Sequence, residues 1–221
     1  MTETLQIALL WTVFAASHLS LSSLRFRPRL VERLGESRFL GMYSLVAALT
    51  FVPVVWVYAA SKHAGPFLGY GSGIPGLRYA MIAGGVVSFG LIVGGLLDRS
   101  PAFPGQSGSE VRGVLRVTRH PLFMGLGLLA FLHLFAARIH TSDLAFFGGA
   151  VAFSLVGCWH QDRRKLTTEG PEFAQFVERT SFLPFARGGF TGLLERPAPF
   201  LIGLALGALL RWFHPILLGG A

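Results

Sequence analysis

The sequence predicts an all-α fold, a polytopic transmembrane helical bundle of about six spans, and three observations carry that prediction. The chain of 221 residues is 52% hydrophobic and only 14% charged, with a mean hydropathy of +0.57. A soluble domain carries about 25% charged residues. The apolar residues fall in runs close to the roughly 20 residues that cross a bilayer as a helix. The basic residues fall in short blocks between those runs, and 15 of the 19 lie in alternate loops.

The expected spans, in order, are Leu5 to Leu24, Phe39 to Ala60, Leu77 to Leu97, Pro121 to Ala137, Leu144 to His160 and Phe200 to Leu218. The fourth and fifth are short for a bilayer and read as tilted pieces or as extending into their flanks. Loop one carries Arg25, Arg27, Arg29, Arg33 and Arg38. Loop three carries Arg99, Arg112, Arg116 and Arg119. Loop five carries six more basic residues, from Arg163 to Arg196. The positive-inside rule makes these loops cytoplasmic and puts both termini outside. The N-terminus has no basic n-region before the first apolar run, so that run reads as a retained helix and not as a cleaved signal.

Within the second span, Pro53 predicts a kink. In the third, "GGVVSFGLIVGG" places Gly90 and Gly94 on one face, with Gly85 near Ser88. Such small residues suit close helix packing or the approach of a flat ligand. "QDRRKLTTEGPEFAQFVERTSFLPF" reads as a short amphipathic cytoplasmic helix between the fifth and sixth spans. Phe173, Phe176 and Val177 share a face, and Glu172 and Gln175 face water. No long linker interrupts the chain, so residues 1–221 read as a single domain.

The net charge of +8 is distributed as topology and as contact with anionic lipid headgroups, not as a nucleic-acid surface. One cysteine, Cys158, excludes an intrachain disulfide and a CxxC metal site.

Seven histidines are present. His63, His140 and His214 read as interfacial and solvated, and His160 as a helix end meeting open carbonyls. His18 and His133 fall inside apolar runs, where an ionisable side chain is a functional candidate with a partner to be found. Each can bond to a Ser, Thr or carbonyl of a neighbouring helix, or the two can share a metal. Neutral imidazole is a good axial ligand for haem iron. Arg116 and Arg119 are candidates for haem propionates, or with Arg163 for ion pairing to Asp162. Two histidines without carboxylates or thiolates also suit copper, whereas the tetrahedral zinc pattern is missing. His133 lies about 18 Å along a helix from Pro121, deeper than His18, which leaves His120 as another partner for His18. His120 and His133 are about 220° apart around an ideal helix and share no face.

"RVTRHPLFMGLGLLAFLHL", the "QDRR" segment, "WTVFAASHLSLSS" and "GESRFLGMYSLVAALTFVPVVW" together resemble the NnrU family of bacterial membrane proteins, related to the zeta-carotene isomerase of plants and cyanobacteria. The resemblance implies a polytopic helical protein of the bacterial inner (plasma) membrane. It links the chain to nitric oxide metabolism and denitrification, or to redox-dependent cis–trans isomerisation of a polyene on haem b. It matches the isomerase's ligating histidines to His18 and His133 and its RHP histidine to His120. Where that isomerase has a cysteine three residues before the second ligand, this chain has Ala130, so a switch from cysteine to histidine ligation is not implied here. The implied partner of the iron is a hydrophobic small molecule or a diatomic gas.

RHP followed by an amphipathic helix is more distantly similar to isoprenylcysteine and phospholipid methyltransferases, which implies S-adenosylmethionine as an alternative cofactor. The acidic pair of those enzymes is reduced here to Asp162 followed by Arg163. A non-catalytic accessory subunit of a membrane complex is the third expectation. No catalytic residue is assigned by sequence alone.

Overall fold

The computed structural model describes residues 2–69, 74–98, 100–102, 110–135 and 138–218. It is helical throughout, apart from one small two-stranded ribbon. Its contacts divide the chain into two compact units, Met1–Ile74 with His133–His160, and Pro75–Leu132 with Gln161–Ala221.

In the first unit α1 (Thr2–Leu21) and α3 (Glu36–Ala60) are long and apolar enough to cross a membrane. Between them the arginine-rich segment, which the sequence predicts as a loop, folds into α2 (Arg27–Leu34). Pro28 starts α2 where no intrahelical donor is needed. Gly35, at φ +79, turns the chain into α3. Arg27 pairs with Glu36 at 2.7 Å and lies 5.4 Å from the centre of the Phe39 ring. α3 continues as one helix through Pro53.

α7 (Thr141–Thr168) begins in this unit, and its first part packs parallel to α1. The Thr4 and Thr141 hydroxyls meet at 2.8 Å, Trp11 Nε1 donates to the Phe146 carbonyl at 3.1 Å, and Phe14 lies 4.6 Å from Phe153. Gly149 permits that approach, since a Cβ there would lie 2.5 Å from the Trp11 ring. Ile7, Trp11, Phe14 and Val54 form the core, and Tyr58 stacks on Phe146 at 4.0 Å. The ribbon pairs β1 (Phe67–Gly69) with β2 (Ile139–His140) in antiparallel register.

The second unit contains α4 (Leu77–Leu97), the short α5 (Val114–Val117), α6 (Pro121–His133) up to Leu132, the remainder of α7, α8 (Pro171–Arg179), α9 (Thr191–Glu195) and α10 (Ala198–Leu218). The glycine face of α4 is filled by protein. Gly90 meets the Phe200 ring and the backbone at Gly203, and Gly94 meets Val114. Ser88 Oγ donates to the Gly125 carbonyl at 2.7 Å. Of the two roles small residues can play, Gly90 and Gly94 serve packing. α8 has the expected amphipathic form: Phe173 and Phe176 are buried with Ala102, Val111 and Leu115, while Glu172 and Gln175 are exposed.

Among the described residues four helices, α1, α3, α4 and α7, have spanning length and composition, against the six spans expected from sequence. α6 has 13 residues, about 20 Å of helix against a hydrocarbon core of about 30 Å. The expected fourth span ended at Ala137, which lies outside the described residues. α10, at 21 residues from Ala198 to Leu218, covers the expected sixth span, Phe200 to Leu218. The fifth expected span, Leu144 to His160, extends into both flanks as one helix, α7, from Thr141 to Thr168, and the charges past His160 find partners. The membrane helices expose many large apolar side chains, among them Leu45, Leu49, Trp56 and Leu96, as lipid-facing surfaces do.

Candidate functional site

Each unit encloses polar side chains among its apolar helices. In the second unit, Thr118-Arg119-His120 runs extended into Pro121, the first residue of α6. Two side-chain bonds to backbone fix this segment: Thr118 Oγ1 donates to the Phe182 carbonyl at 2.7 Å, and Ser100 Oγ donates to the Arg119 carbonyl at 2.6 Å. Arg119 and His120 then converge on Asp162 of α7. The guanidinium donates to Asp162 Oδ2 through Nε at 2.8 Å and Nη2 at 2.7 Å, and His120 Nε2 meets Oδ1 at 2.8 Å. All three residues are buried. Arg119 also donates to the Thr180 carbonyl at 3.3 Å and lies over the Phe182 ring. One turn on, Lys165 is buried against the Phe173 ring, pairs with Glu169 at 2.8 Å and donates to the Pro101 carbonyl. Beside this cluster Gly95, Ser100, Ala102 and Phe123 line a small recess that reaches Arg119 and His120.

Of the arginines singled out in the sequence, Arg119 makes the expected ion pair with Asp162. Arg163 is exposed. Arg116 binds Glu195 at the end of α9, Nε to Oε1 at 2.6 Å, and the Gly113 N–H donates to Oε2 at 3.1 Å. The Arg116 hydrogen bond, with the Gly113 N–H after it, holds the Glu195 carboxyl below its ordinary value of 4.5. The tether contributes its full stability above that value and loses it as pH falls through the lowered folded value. Arg116→Ala is expected to move the Glu195 titration back toward the ordinary value, read by carboxyl carbon NMR.

In the first unit, His18 is enclosed by aromatic rings. Tyr43 lies 4.5 Å away, Phe14 5.3 Å and Phe153 5.4 Å, centre to centre. The Tyr43 hydroxyl hydrogen-bonds to His18 Nε2, while the buried Nδ1 has no hydrogen-bond partner. His160 on α7 lies within electrostatic reach of His18. His133 stacks on Phe147 at 4.7 Å and 20°. Phe147 and Phe153 are about 9 Å apart along an ideal helix and about 240° apart around it. The two imidazoles therefore bear on α7 at different levels and on different sides. Tyr43 was missed in the sequence because its partner is 25 residues away on another helix.

Long apolar helices with half-buried imidazoles among them define an integral membrane protein of the α-helical bundle class. The chain belongs to the NnrU family: the profile described as NnrU protein matches residues 6–221. It is similar to the 15-cis-zeta-carotene isomerase, chloroplastic, of Arabidopsis thaliana, with 26% identity over 95% of this chain and 59% of that protein. It is also similar to the protein of the same description from Zea mays, with 27% identity over 80% of this chain and 49% of that one. The chain thus spans about half the length of these curated relatives. No solved structure matches it.

Proposed function

We propose that this protein is a membrane isomerase that converts a cis double bond of an apolar polyene to trans, with a b-type haem held through His18. The observation that carries the proposal is the likeness to the plant 15-cis-zeta-carotene isomerase along 95% of the chain. His18 fits the group in its chemistry: it is a half-buried imidazole whose buried Nδ1 has no hydrogen-bond partner. When Tyr43 accepts the Nε2 proton, Nδ1 presents a lone pair. A hydrogen bond at the other ring nitrogen is how ligating histidines are commonly oriented. Phe14 and Phe153 keep water from the ring. His133, stacked on Phe147 at another level and side of α7, stands outside the His18 centre, so the pairing of His18 with His133 expected from the sequence does not fit one haem. When bound, haem supplies one-electron chemistry at iron.

An apolar polyene dissolves in the bilayer and reaches such a site without crossing water. The setting proposed with this function is a bacterial plasma membrane, with the basic loops against anionic headgroups on the cytoplasmic side. S-adenosylmethionine is the weaker cofactor, because both oxygens of Asp162, the acid that would meet its cation, are taken by Arg119 and His120.

Protein purified from haem-replete cells is expected to show a Soret band, and membranes containing it to convert a 15-cis polyene to its trans isomer, followed by chromatography. His18→Ala should abolish both. His133→Ala should leave the Soret band in place, because His133 packs against Phe147 and not at the His18 centre. Colourless protein that still isomerises the polyene removes haem from the proposal, and haem-loaded protein with no isomerisation removes the reaction.

A further inference from the structure

We infer that His63, His140 and Asp143 form a site for a divalent transition-metal ion of the zinc type, separate from the His18 centre and independent of the reaction proposed above. The three residues offer one ligand atom each, all within 4.8 Å of one another. Asp143 Oδ2 lies 3.0 Å from His63 Nδ1 and 3.8 Å from His140 Nδ1. Tetrahedral zinc with ligand bonds of about 2.0–2.1 Å separates its ligand atoms by about 3.3 Å. The cluster therefore needs only small side-chain rotations to close on an ion.

Three features mark it as more than a chance meeting of polar groups. His140 Nδ1 is buried and has no hydrogen-bond partner, although it is aimed at a carboxylate. The carboxylate is itself held in place, with Oδ1 accepting from the Tyr58 hydroxyl at 2.9 Å and Oδ2 accepting from the His140 N–H at 2.8 Å. Such outer hydrogen bonds orient metal ligands. Finally, the surrounding backbone is laced together. Ala64 N–H donates to Ser142 Oγ, Thr141 N–H to the Pro66 carbonyl, and β1 pairs with β2. This frame holds His63 at φ +56, in the left-handed region that few non-glycine residues enter and histidine more readily than most, and brings its imidazole to Asp143.

Two imidazoles and one carboxylate are borderline donors that suit Zn2+ and exclude the oxygen-only preference of Mg2+ or Ca2+. Three protein ligands leave a fourth position open, as in zinc centres that bind water or substrate. The His63 side chain is 54% exposed, which gives the ion a path in.

The test uses the full-length, tag-free protein in lipid nanodiscs, stripped with a chelator and titrated with Zn2+ in a calorimeter. The expected result is saturable binding of one ion per chain and a higher melting temperature with Zn2+. His63→Asn keeps a residue that tolerates positive φ and, being at an exposed position, leaves folding intact. It is expected to weaken binding about tenfold or more, as is His140→Asn, and the double variant should bind none. Co2+ should give a visible tetrahedral spectrum in the native protein and not in His63→Asn. Absence of saturable Zn2+ binding, or a double variant of native melting temperature that binds Zn2+ like the native protein, would overturn the assignment.

Discussion

Asp162→Ala is expected to destabilise the protein by about 3–5 kcal/mol, the cost of breaking a buried ion pair from one side. Arg119 is 8% exposed and makes its charge-assisted bonds to Asp162. With the carboxylate gone, a guanidinium stays buried with the Thr180 carbonyl as a remaining acceptor, and the His120 imidazole loses its anchor. Thermal unfolding of the purified protein in detergent measures the loss. The double variant Asp162→Ala with Arg119→Met should recover part of it, because both charges then leave together and an apolar side chain fills the space. Asp162→Asn should fall between, since one amide oxygen still accepts. A single Asp162→Ala variant that melts with the native protein would show that the cluster does not lock α7 to the segment before α6.

The all-α membrane class was legible because it depends on local composition. Hydropathy alone placed α3 and α4 nearly to the residue, Glu36–Ala60 against Phe39 to Ala60 and Leu77–Leu97 as read. The helical spacing of Phe173 and Phe176 likewise located α8. Hydropathy did not fix the far end of α7. There the charges of Asp162 and Lys165 argue locally against a continued helix, and only their partners, Arg119 and His120 for one and Glu169 for the other, make their burial possible. Arg119 and Asp162 were legible as a possible pair because both sit in motifs. His63 and Asp143 were not, since 80 residues separate them and each taken alone is an ordinary interfacial side chain. The loop–ribbon frame that joins them has no sequence signal comparable to an apolar run. The same limit applies to His18: its burial was legible, but the Tyr43 hydroxyl on its ring was not.

Gly203→Ala and Gly85→Ala add the same methyl group to α10 and α4, and the two are expected to change stability in opposite directions. At Gly203 the added carbon would lie 2.5 Å from the Gly90 nitrogen, 2.9 Å from the Phe89 carbonyl carbon and 3.0 Å from the Gly90 Cα. These are backbone atoms of another helix and cannot rotate away, so α10 must move off α4. In a bilayer no hydrophobic force drives helices together, and close van der Waals packing at small residues carries much of their association. Overpacking at such a contact costs about 1–3 kcal/mol, and Gly203→Leu should cost more. At Gly85 nothing lies within 4 Å of the new carbon. Alanine there should stabilise α4 by about 0.5–1 kcal/mol through reduced chain entropy. Gly90→Ala separates backbone from side-chain obstruction: its Cβ meets the Phe200 ring, which can shift, so its cost should be smaller than that of Gly203→Ala. Melting temperatures of the three variants in one detergent decide the matter. A Gly203→Ala protein as stable as Gly85→Ala would mean that α4 and α10 are not held by this close backbone approach.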